Sequence, residues 1–325
     1  MRAMMSESPG GPESLKLMEL PSKPLGKGQV RIDVKAAGVN FPDTLIIADK
    51  YQFKPPRPFA PGHEVAGAVT EVAGDVKEYK VGDRVIAAIR HGGYATEVVA
   101  DQGQLLPMPS NMSYEDGAAF TMTYGTSYYA LKQRSSYQPG ETLLVTGASG
   151  GVGLTAVELG ALLGLKVIAA VGSDEKMEIC RKYGATMFVN YSKEKMRDKV
   201  KELTGGNGAD IIYDAVGGDA FDESVRCINW YGRLLVVGFA AGRIPQLPAN
   251  LALLKSCDVR GIFYGAWRAR EPKEARRNFD DMLWWYAQGK LKPHVSMRFP
   301  LEKSAEAMNA LLSRKATGKV VLTMA

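Results

Sequence analysis

The sequence predicts an α/β protein with two domains, a partly open β-barrel and a doubly wound parallel sheet of six strands. Its 325 residues exceed what a single hydrophobic core usually organises. Short runs rich in valine and isoleucine, separated by glycine and proline, fill the first third and predict the barrel. Beyond about residue 140, apolar strands alternate with helices, which predicts the parallel sheet.

The predicted barrel domain uses both ends of the chain. Its early strands are expected at 29–39, 63–73, 82–89 and 94–100. One helix is expected over 113–133, and further helices at 274–289 and 302–313. The final "GKVVLTM" reads as a strand that needs a partner, so we expect it to return to the barrel. The predicted domains are therefore 1–123 with 266–325, and 124–265.

The second domain shows a regular strand and helix alternation. The strands are expected at 142–147, 166–172, 187–191, 209–216, 232–239 and 257–264. The helices are expected at 151–164, 174–183, 193–204, 219–228 and 250–256. Strands such as "LLVT" and "VIAAV" are continuously apolar, as a sheet covered on both faces requires.

The bulk composition excludes several classes of protein. Hydrophobic residues make up 46% and charged residues 23%, which is typical of a globular chain. No apolar run is long enough to cross a membrane and the N-terminus lacks a signal-peptide core, so a cytoplasmic protein is expected. The net charge of +6 is scattered apart from "RAREPKEARR" at 268–277, which reads as a solvated helix face. The sequence contains no motif of aromatic and basic residues that could stack on nucleic-acid bases, so nucleic-acid binding is not expected.

The segment "GASGGVG" at 147–153 predicts a dinucleotide site, because an apolar strand precedes it and a helix follows it. Gly150 stands where the backbone must approach a pyrophosphate, and Gly153 where the helix packs on the sheet. The amides from Ser149 to Val152 would hold the anion at the helix start. Ala148 replaces the first glycine, which is a small change in a turn.

The tip of the second strand favours NADP over NAD. An NAD site needs a carboxylate there for the ribose hydroxyl, but the tip reads Val171-Gly172. Asp174 follows later, where it suits a helix start. Ser173 and Lys176 are placed to meet a 2′-phosphate.

Several segments together resemble the medium-chain dehydrogenase/reductase superfamily, in its zinc-free quinone oxidoreductase (zeta-crystallin-like) branch. They are "AAGVNFPD" (36–43), "PGHEVAG" (61–67), "VGDRV" (81–85), "GTSYYAL" (125–131), "VTGASGGVGL" (145–154), "YDAVGG" (213–218), "GRLLVVGF" (232–239) and "TGKVVL" (317–322). The glycine motif of this family begins with alanine. The resemblance implies a GroES-like barrel, a Rossmann domain, a cleft between them and NADPH as hydride donor. It also implies a homodimer or homotetramer joined through the Rossmann domains.

The resemblance also implies roles for individual residues. Those expected at the reacting end of the cleft, as catalytic candidates, are Asn40, Tyr51 and Thr126. Those expected on the cofactor are Ser149, Gly150, Gly151, Val152, Gly153, Gly172, Ser173, Lys176, Tyr191, Phe239, Phe263, Tyr264, Gly265 and Arg314. Tyr51 either donates a hydrogen bond or packs on the nicotinamide. No side chain stands out as the proton donor, and solvent is an alternative source.

The sequence argues against zinc. "GHEVAG" at 62–67 matches a pattern in which zinc alcohol dehydrogenases use the histidine as a ligand, but a catalytic zinc needs three protein ligands. The three cysteines are Cys180, Cys227 and Cys257, far from that segment and from one another. His63 and Glu64 are instead expected to form local hydrogen bonds, and no metal site is predicted.

Without zinc, the expected substrate is already electrophilic. The leading hypothesis is an NADPH-dependent quinone reductase. The close alternative is a reductase of an activated carbon–carbon double bond in an enone, an enal or an acryloyl-CoA-type thioester. A more distant alternative is a non-catalytic protein that binds RNA or accumulates as a crystallin.

Overall fold

A computed structural model describes residues 1–324 and divides the chain into two compact units. Met1–Met122 and Leu283–Ala325 belong to the first unit, and Thr123–Met282 form the second. The final residue of the predicted barrel domain, Ala325, lies outside the described residues. The first unit is therefore built from both ends of the chain.

The second boundary between the units differs from the predicted one at 265/266. Residues as far as Met282 pack in the second unit. The ring of Trp267 stacks on Tyr129 with 4.3 Å between centroids, and the Tyr128 hydroxyl donates to Asp281 at 3.1 Å. These contacts hold the chain after residue 265 against a helix of the same unit, which the strand and helix rhythm did not reveal.

A seven-stranded sheet forms the first unit. Its strands are β3 (Gln29–Val39), β4 (Glu64–Val72), β5 (Arg84–Ala88), β6 (Glu97–Asp101), β7 (Leu105–Pro107), β14 (Val295–Pro300) and β15 (Lys319–Thr323). The order is β14-β15-β3-β4-β5-β7, with β6 paired to β3. The terminal strand β15 runs antiparallel to β3, as expected. The alternation of β3 buries Val30, Ile32 and Val34 completely in the core.

Smaller elements complete the first unit. The strands β1 (Arg2–Met5) and β2 (Lys16–Glu19) form an antiparallel ribbon. The helices with residues in this unit are α1 (Phe41–Ile47), α2 (Tyr114–Ala118), α10 (Pro272–Ala287), which spans the boundary, and α11 (Ser304–Leu312). The sequence did not predict β1, β2, β7 or α1, because these short segments show no clear periodicity.

The single helix predicted over 113–133 is divided in the structure. It consists of α2, then α3 (Thr123–Tyr129), then a π-helical turn at Ala130–Arg134. The break occurs where the chain turns to a buried carboxylate. The hydroxyl of Thr121 and the backbone N–H of Met122 donate to Glu64 Oε2 at 2.8 and 2.9 Å. A contact distant in sequence therefore replaces helical hydrogen bonds at this point.

A six-stranded parallel sheet forms the second unit and confirms the predicted fold class. Its strands are β8 (Thr142–Thr146), β9 (Lys166–Val171), β10 (Met187–Asn190), β11 (Ala209–Asp214), β12 (Ile228–Val236) and β13 (Asp258–Gly261). The order is β10-β9-β8-β11-β12-β13, which is the doubly wound arrangement. The helices between the strands are α4 (Gly151–Leu162), α5 (Asp174–Lys182), α6 (Met196–Leu203), α7 (Gly218–Cys227) and α8 (Ala249–Lys255).

The last predicted strand of this sheet is shorter than expected. β13 ends at Gly261, and α9 (Tyr264–Arg270) begins where the prediction still had a strand. Tyr264 is 5% exposed and fills the space above Gly125, where an added Cβ would lie 2.3 Å from the tyrosine hydroxyl. The tyrosine therefore packs as a helix residue. In the part of the chain that the structure describes, no helix is long and apolar enough to cross a membrane.

Candidate functional site

The glycine turn after β8 adopts a conformation that the sequence requires. Gly147 has φ +61°, in the left-handed region. A Cβ at Gly153 would lie 2.2 Å from the carbonyl oxygen of Gly147, so only glycine lets α4 start this close to the strand. Ala148 is fully buried and its N–H donates to Ala170 of β9 at 3.1 Å. A methyl group fits at this first position of the motif.

The same turn leaves a binding surface for an anion. Gly150 caps α4, and its neighbour Ser149 is only 7% exposed. The first N–H groups of a helix have no helical carbonyl to bind, and the positive end of the helix dipole lies there. A Cβ at Gly150 would meet only the Gly147 oxygen, at 3.3 Å, so the outer side of the turn is open. The amides of Gly151 to Gly153 can therefore hold a phosphate.

The residues predicted around a 2′-phosphate come together at the carboxyl ends of β9 and β10. Gly172 and Ser173 follow β9, and Lys176 lies in the first turn of α5. The ring of Tyr191 covers Gly172, with ring atoms 3.2 Å from where a Cβ would stand. The backbone N–H of Tyr191 donates to Val171 at 3.1 Å. Four predicted residues thus form one side of a single surface.

The carboxylate of Asp174 forms hydrogen bonds with two neighbouring side chains of the protein. It accepts the side-chain amide of Asn190 at 2.7 Å and the ammonium group of Lys193 at 2.5 Å. These two hydrogen bonds lower the pKa of Asp174. The carboxylate therefore belongs to the first turn of α5, where Glu175 follows it, and the strand tip itself, Val171-Gly172, carries no acid.

The aromatic residues predicted at the nicotinamide end occupy different environments. Phe239 and Phe263 follow β12 and β13 and are 37% and 54% exposed. Tyr264 is buried against Gly125 within this unit, and its approach to a cofactor stays a prediction. Gly265 has open space where a Cβ would stand.

Two further predicted residues lie in other elements of the fold. Thr126 is half-buried in α3, between Gly125, which packs on Tyr264, and Ser127, which donates to the carbonyl of Val152 at 2.9 Å. Arg314 belongs to the first unit, where it is exposed in the turn after α11 with φ +57°.

In the first unit, a buried carboxylate organises the predicted catalytic residues. Asp43 lies in α1 and is fully buried. It accepts the backbone N–H of Asn40 at 2.8 Å, that of Gly62 at 3.2 Å and the Tyr94 hydroxyl at 3.1 Å. His63 Nδ1 lies 2.6 Å from its Oδ1. Burial, with the charge of Asp43, raises the pKa of Tyr94 well above its ordinary value.

A second buried carboxylate fixes the side chain of Asn40. Glu64 Oε1 accepts the ammonium group of Lys319 at 2.8 Å and the amide nitrogen of Asn40 at 3.0 Å. The same ammonium donates to Asn40 Oδ1 at 2.6 Å. Both atoms of the Asn40 amide are therefore assigned by their partners, and the residue is 7% exposed.

Tyr51 lies on the edge of this group. Its ring is half-buried and packs against the core of the first unit. Burial, and next the charge of Asp43, raise the pKa of its hydroxyl. Tyr51 therefore keeps its proton at neutral pH and can donate a hydrogen bond.

The residues of this group do not fit a catalytic zinc. Asn40 Oδ1 and Glu64 Oε1 already bind the ammonium group of Lys319, which repels a second cation. The only thiols are those of Cys180, Cys227 and Cys257, all in the second unit. Zinc binds thiolate, imidazole and carboxylate groups, and His63 offers a single nitrogen.

Three members of the group, Asp43, Tyr94 and Lys319, had no predicted role. Asp43 and Lys319 lie within the segments "AAGVNFPD" and "TGKVVL". A charged residue inside an apolar strand, such as Lys319 in "GKVVL", was the available signal, because lysine is rarely buried without a partner.

Two family models match the chain. The alcohol dehydrogenase GroES-like domain matches residues 26–110, and the zinc-binding dehydrogenase model matches residues 151–281. A quinone oxidoreductase-like protein 2 homolog from Nematostella vectensis is 45% identical over 301 residues, covering 92% of this chain and 82% of that protein.

Solved structures share the whole fold. The Escherichia coli quinone oxidoreductase complexed with NADPH superposes with a TM-score of 0.93 at 30% identity, covering 99% of this chain and 100% of that one. The CurF ER cyclopropanase from the curacin A biosynthetic pathway gives a TM-score of 0.90 at 27% identity, covering 100% and 99%. A quinone oxidoreductase and a cyclopropanase therefore share this architecture.

Proposed function

Because the chain belongs to the medium-chain dehydrogenase/reductase superfamily, in its quinone oxidoreductase branch, we propose that it transfers a hydride from NADPH to a quinone. Two features of the second unit support this proposal. The glycine turn at the start of α4 is open on its outer side, and the acid nearest the tip of β9, Asp174, is bound to Asn190 and Lys193. The similarity to an NADPH complex supports the choice of cofactor.

The residues of the second unit fit this cofactor. The amides of Gly151 to Gly153, with the adjoining Ser149, would hold the pyrophosphate, while the N–H of Gly150 donates to the Gly147 carbonyl at 2.9 Å. Lys176 and Ser173 would meet the 2′-phosphate, beside Gly172 and Tyr191. Phe239 and Phe263 would contact the nicotinamide end, and the exposed Arg314 of the first unit is a further candidate for the phosphate. When bound, NADPH supplies the hydride, and the protein supplies position and exclusion of water.

In the first unit, Asn40 and Tyr51 would stabilise the charge that develops on the substrate oxygen. The Asn40 amide nitrogen has two hydrogens, of which Glu64 accepts one. Lys319 holds the amide oxygen, so the second hydrogen has a fixed direction. The Tyr51 hydroxyl keeps its proton because its pKa is raised. Preorganised donors of this kind lower the barrier without reorganising during the reaction.

The alternative substrate is an activated carbon–carbon double bond. It needs the same cofactor and the same oxygen donors, and the CurF neighbour shows that this fold is not confined to quinone oxidoreductases. Steady-state oxidation of NADPH against a quinone, an enone and an enoyl thioester separates the two. We expect the quinone to give the highest kcat/KM, and a faster enoyl thioester would establish the alternative.

The cofactor preference has its own experiment. Lys176→Ala should raise the Kd of NADPH by at least about tenfold and leave that of NADH unchanged, because one charge-assisted contact to phosphate contributes about 1.5–3 kcal/mol. Lys182→Ala, an exposed lysine at the other end of α5, is the matched control and should change neither Kd. Equal losses for NADPH and NADH in Lys176→Ala contradict the proposed contact.

We also propose that two copies associate through the second unit. β13 is the outer strand of its sheet, and a strand at a sheet edge offers unpaired backbone groups. The adjoining helix α8 exposes Leu253 and Leu254 by 77% and 64%. Leu254→Asp should convert a dimer to a monomer in light scattering. An unaltered protein that is already monomeric at micromolar concentration refutes this interface.

A further inference from the structure

His63 and Asp43 form a hydrogen-bonded pair, and neither side chain has a role in the hydride transfer proposed above. His63 Nδ1 lies 2.6 Å from Asp43 Oδ1, and the carboxylate is fully buried. Three further donors bind the same carboxylate: the backbone N–H groups of Asn40 and Gly62 and the hydroxyl of Tyr94. A carboxylate with this many donors acts as an acceptor toward the imidazole. Nδ1 therefore carries a proton, and the orientation of the ring is fixed.

The other ring nitrogen of His63 is available. Among the residues that the structure describes, no side chain or backbone group lies within hydrogen-bonding distance of Nε2. The side chain is 11% exposed, so the ring is largely enclosed but not sealed. The groups of neighbouring elements that face it are the carboxylate of Asp43 and the imidazole of His91, whose pKa is lowered by burial, then by Lys23 and then by His63 itself.

His63 shares Asp43 with the two residues that are proposed to donate hydrogen bonds to the substrate oxygen. Asp43 binds the backbone of Asn40 through one carboxylate oxygen and the imidazole of His63 through the other. The charge of Asp43 also acts on the hydroxyl of Tyr51. Asn40, Tyr51 and His63 are therefore arranged around one carboxylate. Two of them are the residues expected to meet the substrate oxygen.

We propose that His63 is the proton donor of the reduction, held by Asp43 with Nε2 directed at the substrate oxygen. This inference rests on the proposed function. Histidine oriented by a buried carboxylate through Nδ1 is a recurrent arrangement for proton transfer at Nε2. It supplies a proton that the other side chains of the group do not, because Lys319 is bound to Glu64 and Tyr94 to Asp43. The raised pKa of Tyr51 makes its hydroxyl a hydrogen-bond donor but a poor acid.

The proton balance of the step is complete. When NADPH is bound, a C–H bond of its dihydronicotinamide would break and the hydride would form a new bond to the quinone, which gains two electrons and develops negative charge on a carbonyl oxygen. The Nε2–H bond of the imidazolium breaks while the O–H bond of the hydroquinone forms. His63 is left neutral, and its Nδ1 proton remains shared with Asp43. Water then returns one proton to Nε2, so each turnover consumes one NADPH, one quinone and one proton.

The kinetic test uses two variants of His63 and one control. His63→Asn keeps an amide donor near the position of Nδ1 and removes Nε2, and should lower kcat by about 100-fold while the KM for NADPH stays within about twofold. His63→Gly should be slow and should recover at least about tenfold when imidazole is added, because the imidazole replaces the missing donor. His294→Gln alters a histidine that binds Thr317 in the same unit and should leave kcat unchanged.

The outcomes separate this proposal from the one it rests on. If the unaltered protein reduces none of the acceptors with NADPH, the proposed function fails. If it turns over and His63→Asn loses less than about tenfold in kcat, or His63→Gly gains nothing from imidazole, the role of His63 is refuted.

A second measurement needs no variant and no activity. In protein labelled with ¹⁵N-histidine, the neutral form of His63 should carry its proton on Nδ1, where Asp43 accepts it. A proton found on Nε2 in that neutral form overturns the arrangement, since Nδ1 would then not donate to the carboxylate.

Discussion

Replacing Lys319 by methionine should destabilise the first unit by about 3–5 kcal/mol, because it breaks a buried ion pair from one side. Lys319 is 4% exposed and Glu64 is fully buried, with 2.8 Å between the ammonium nitrogen and the carboxylate oxygen. Methionine keeps most of the apolar length of the side chain. The loss therefore measures the uncompensated charge of Glu64 and the unbound oxygen of Asn40, not a cavity.

The magnitude follows from the partners that remain. In the variant, Glu64 keeps three donors, the Asn40 amide, the Thr121 hydroxyl and the Met122 backbone N–H. These donors are uncharged, so they hydrogen-bond the carboxylate oxygens but do not neutralise the negative charge. Each lost charge-assisted hydrogen bond contributes about 1.5–3 kcal/mol, and the ammonium group donates to both Glu64 and Asn40. Two such losses account for the expected range.

The assay is urea unfolding followed by far-ultraviolet circular dichroism, with amide exchange to localise the change to β3, β4 and β15. Lys35→Met is the control, since Lys35 pairs with Asp33 at 2.7 Å on the exposed face of β3 and should lose less than about 1 kcal/mol. Adding Glu64→Gln to Lys319→Met should recover about half of the loss, because no charge is then left unpaired. A Lys319→Met variant as stable as Lys35→Met refutes the reasoning.

Three further outcomes are expected. Gly153→Ala should abolish cofactor binding in a fluorescence titration, because the added Cβ would lie 2.2 Å from a carbonyl oxygen of the phosphate turn, and an unchanged Kd would contradict this. Burial lowers the pKa of His91, so as the pH falls below about 6.5 this histidine takes up a proton in the unfolded protein before it does in the folded one. The free energy of unfolding should therefore decrease below that pH, and it should decrease less steeply with pH in His91→Gln. Burial raises the pKa of the Cys180 and Cys227 thiols to about 12, so native protein should react with Ellman's reagent first at the half-buried Cys257, and rapid reaction of all three would refute that order.

The second unit was predictable from the sequence because its signals are local. Most strands of the parallel sheet contain an apolar run, as in β8, β9 and β12, and a turn rich in glycine or polar residues marks nearly every end. The edge strand β13 is an exception, since it contains Asp258 and Arg260. The glycine turn is largely local as well, since a Cβ at Gly150 or Gly153 would meet the Gly147 oxygen, whereas a Cβ at Gly147 would lie 2.9 Å from the distant Val216. The prediction was wrong where a side chain from elsewhere decided the outcome, as at Tyr264, whose ring packs on Gly125 and ends the expected strand early.

The buried group of the first unit depends instead on strand register, which no local pattern encodes. Pairing of Val320 with Val39 places Lys319 next to Asn40 across two antiparallel strands, although 279 residues separate them. Pairing of Ala37 with Val65 brings Glu64 opposite Gly38. A Cβ at Gly38 would lie 2.1 Å from the carbonyl oxygen of Ala118 and 2.5 Å from the Glu64 carboxylate, so the glycine of "AAGVN" makes room for both.

The strand register explains why Glu64 and Asp43 have different partners, although His63, which contacts Asp43, is next to Glu64 in sequence. Glu64 is bound by the ammonium group of Lys319, and its charge is therefore neutralised within the protein. Asp43 accepts only neutral backbone and tyrosine donors besides the imidazole. The one group near Asp43 that can gain a positive charge in direct contact with it is His63. Of the two carboxylates, only Asp43 contacts an imidazole, and this asymmetry is why the proposed proton transfer uses the pair with His63.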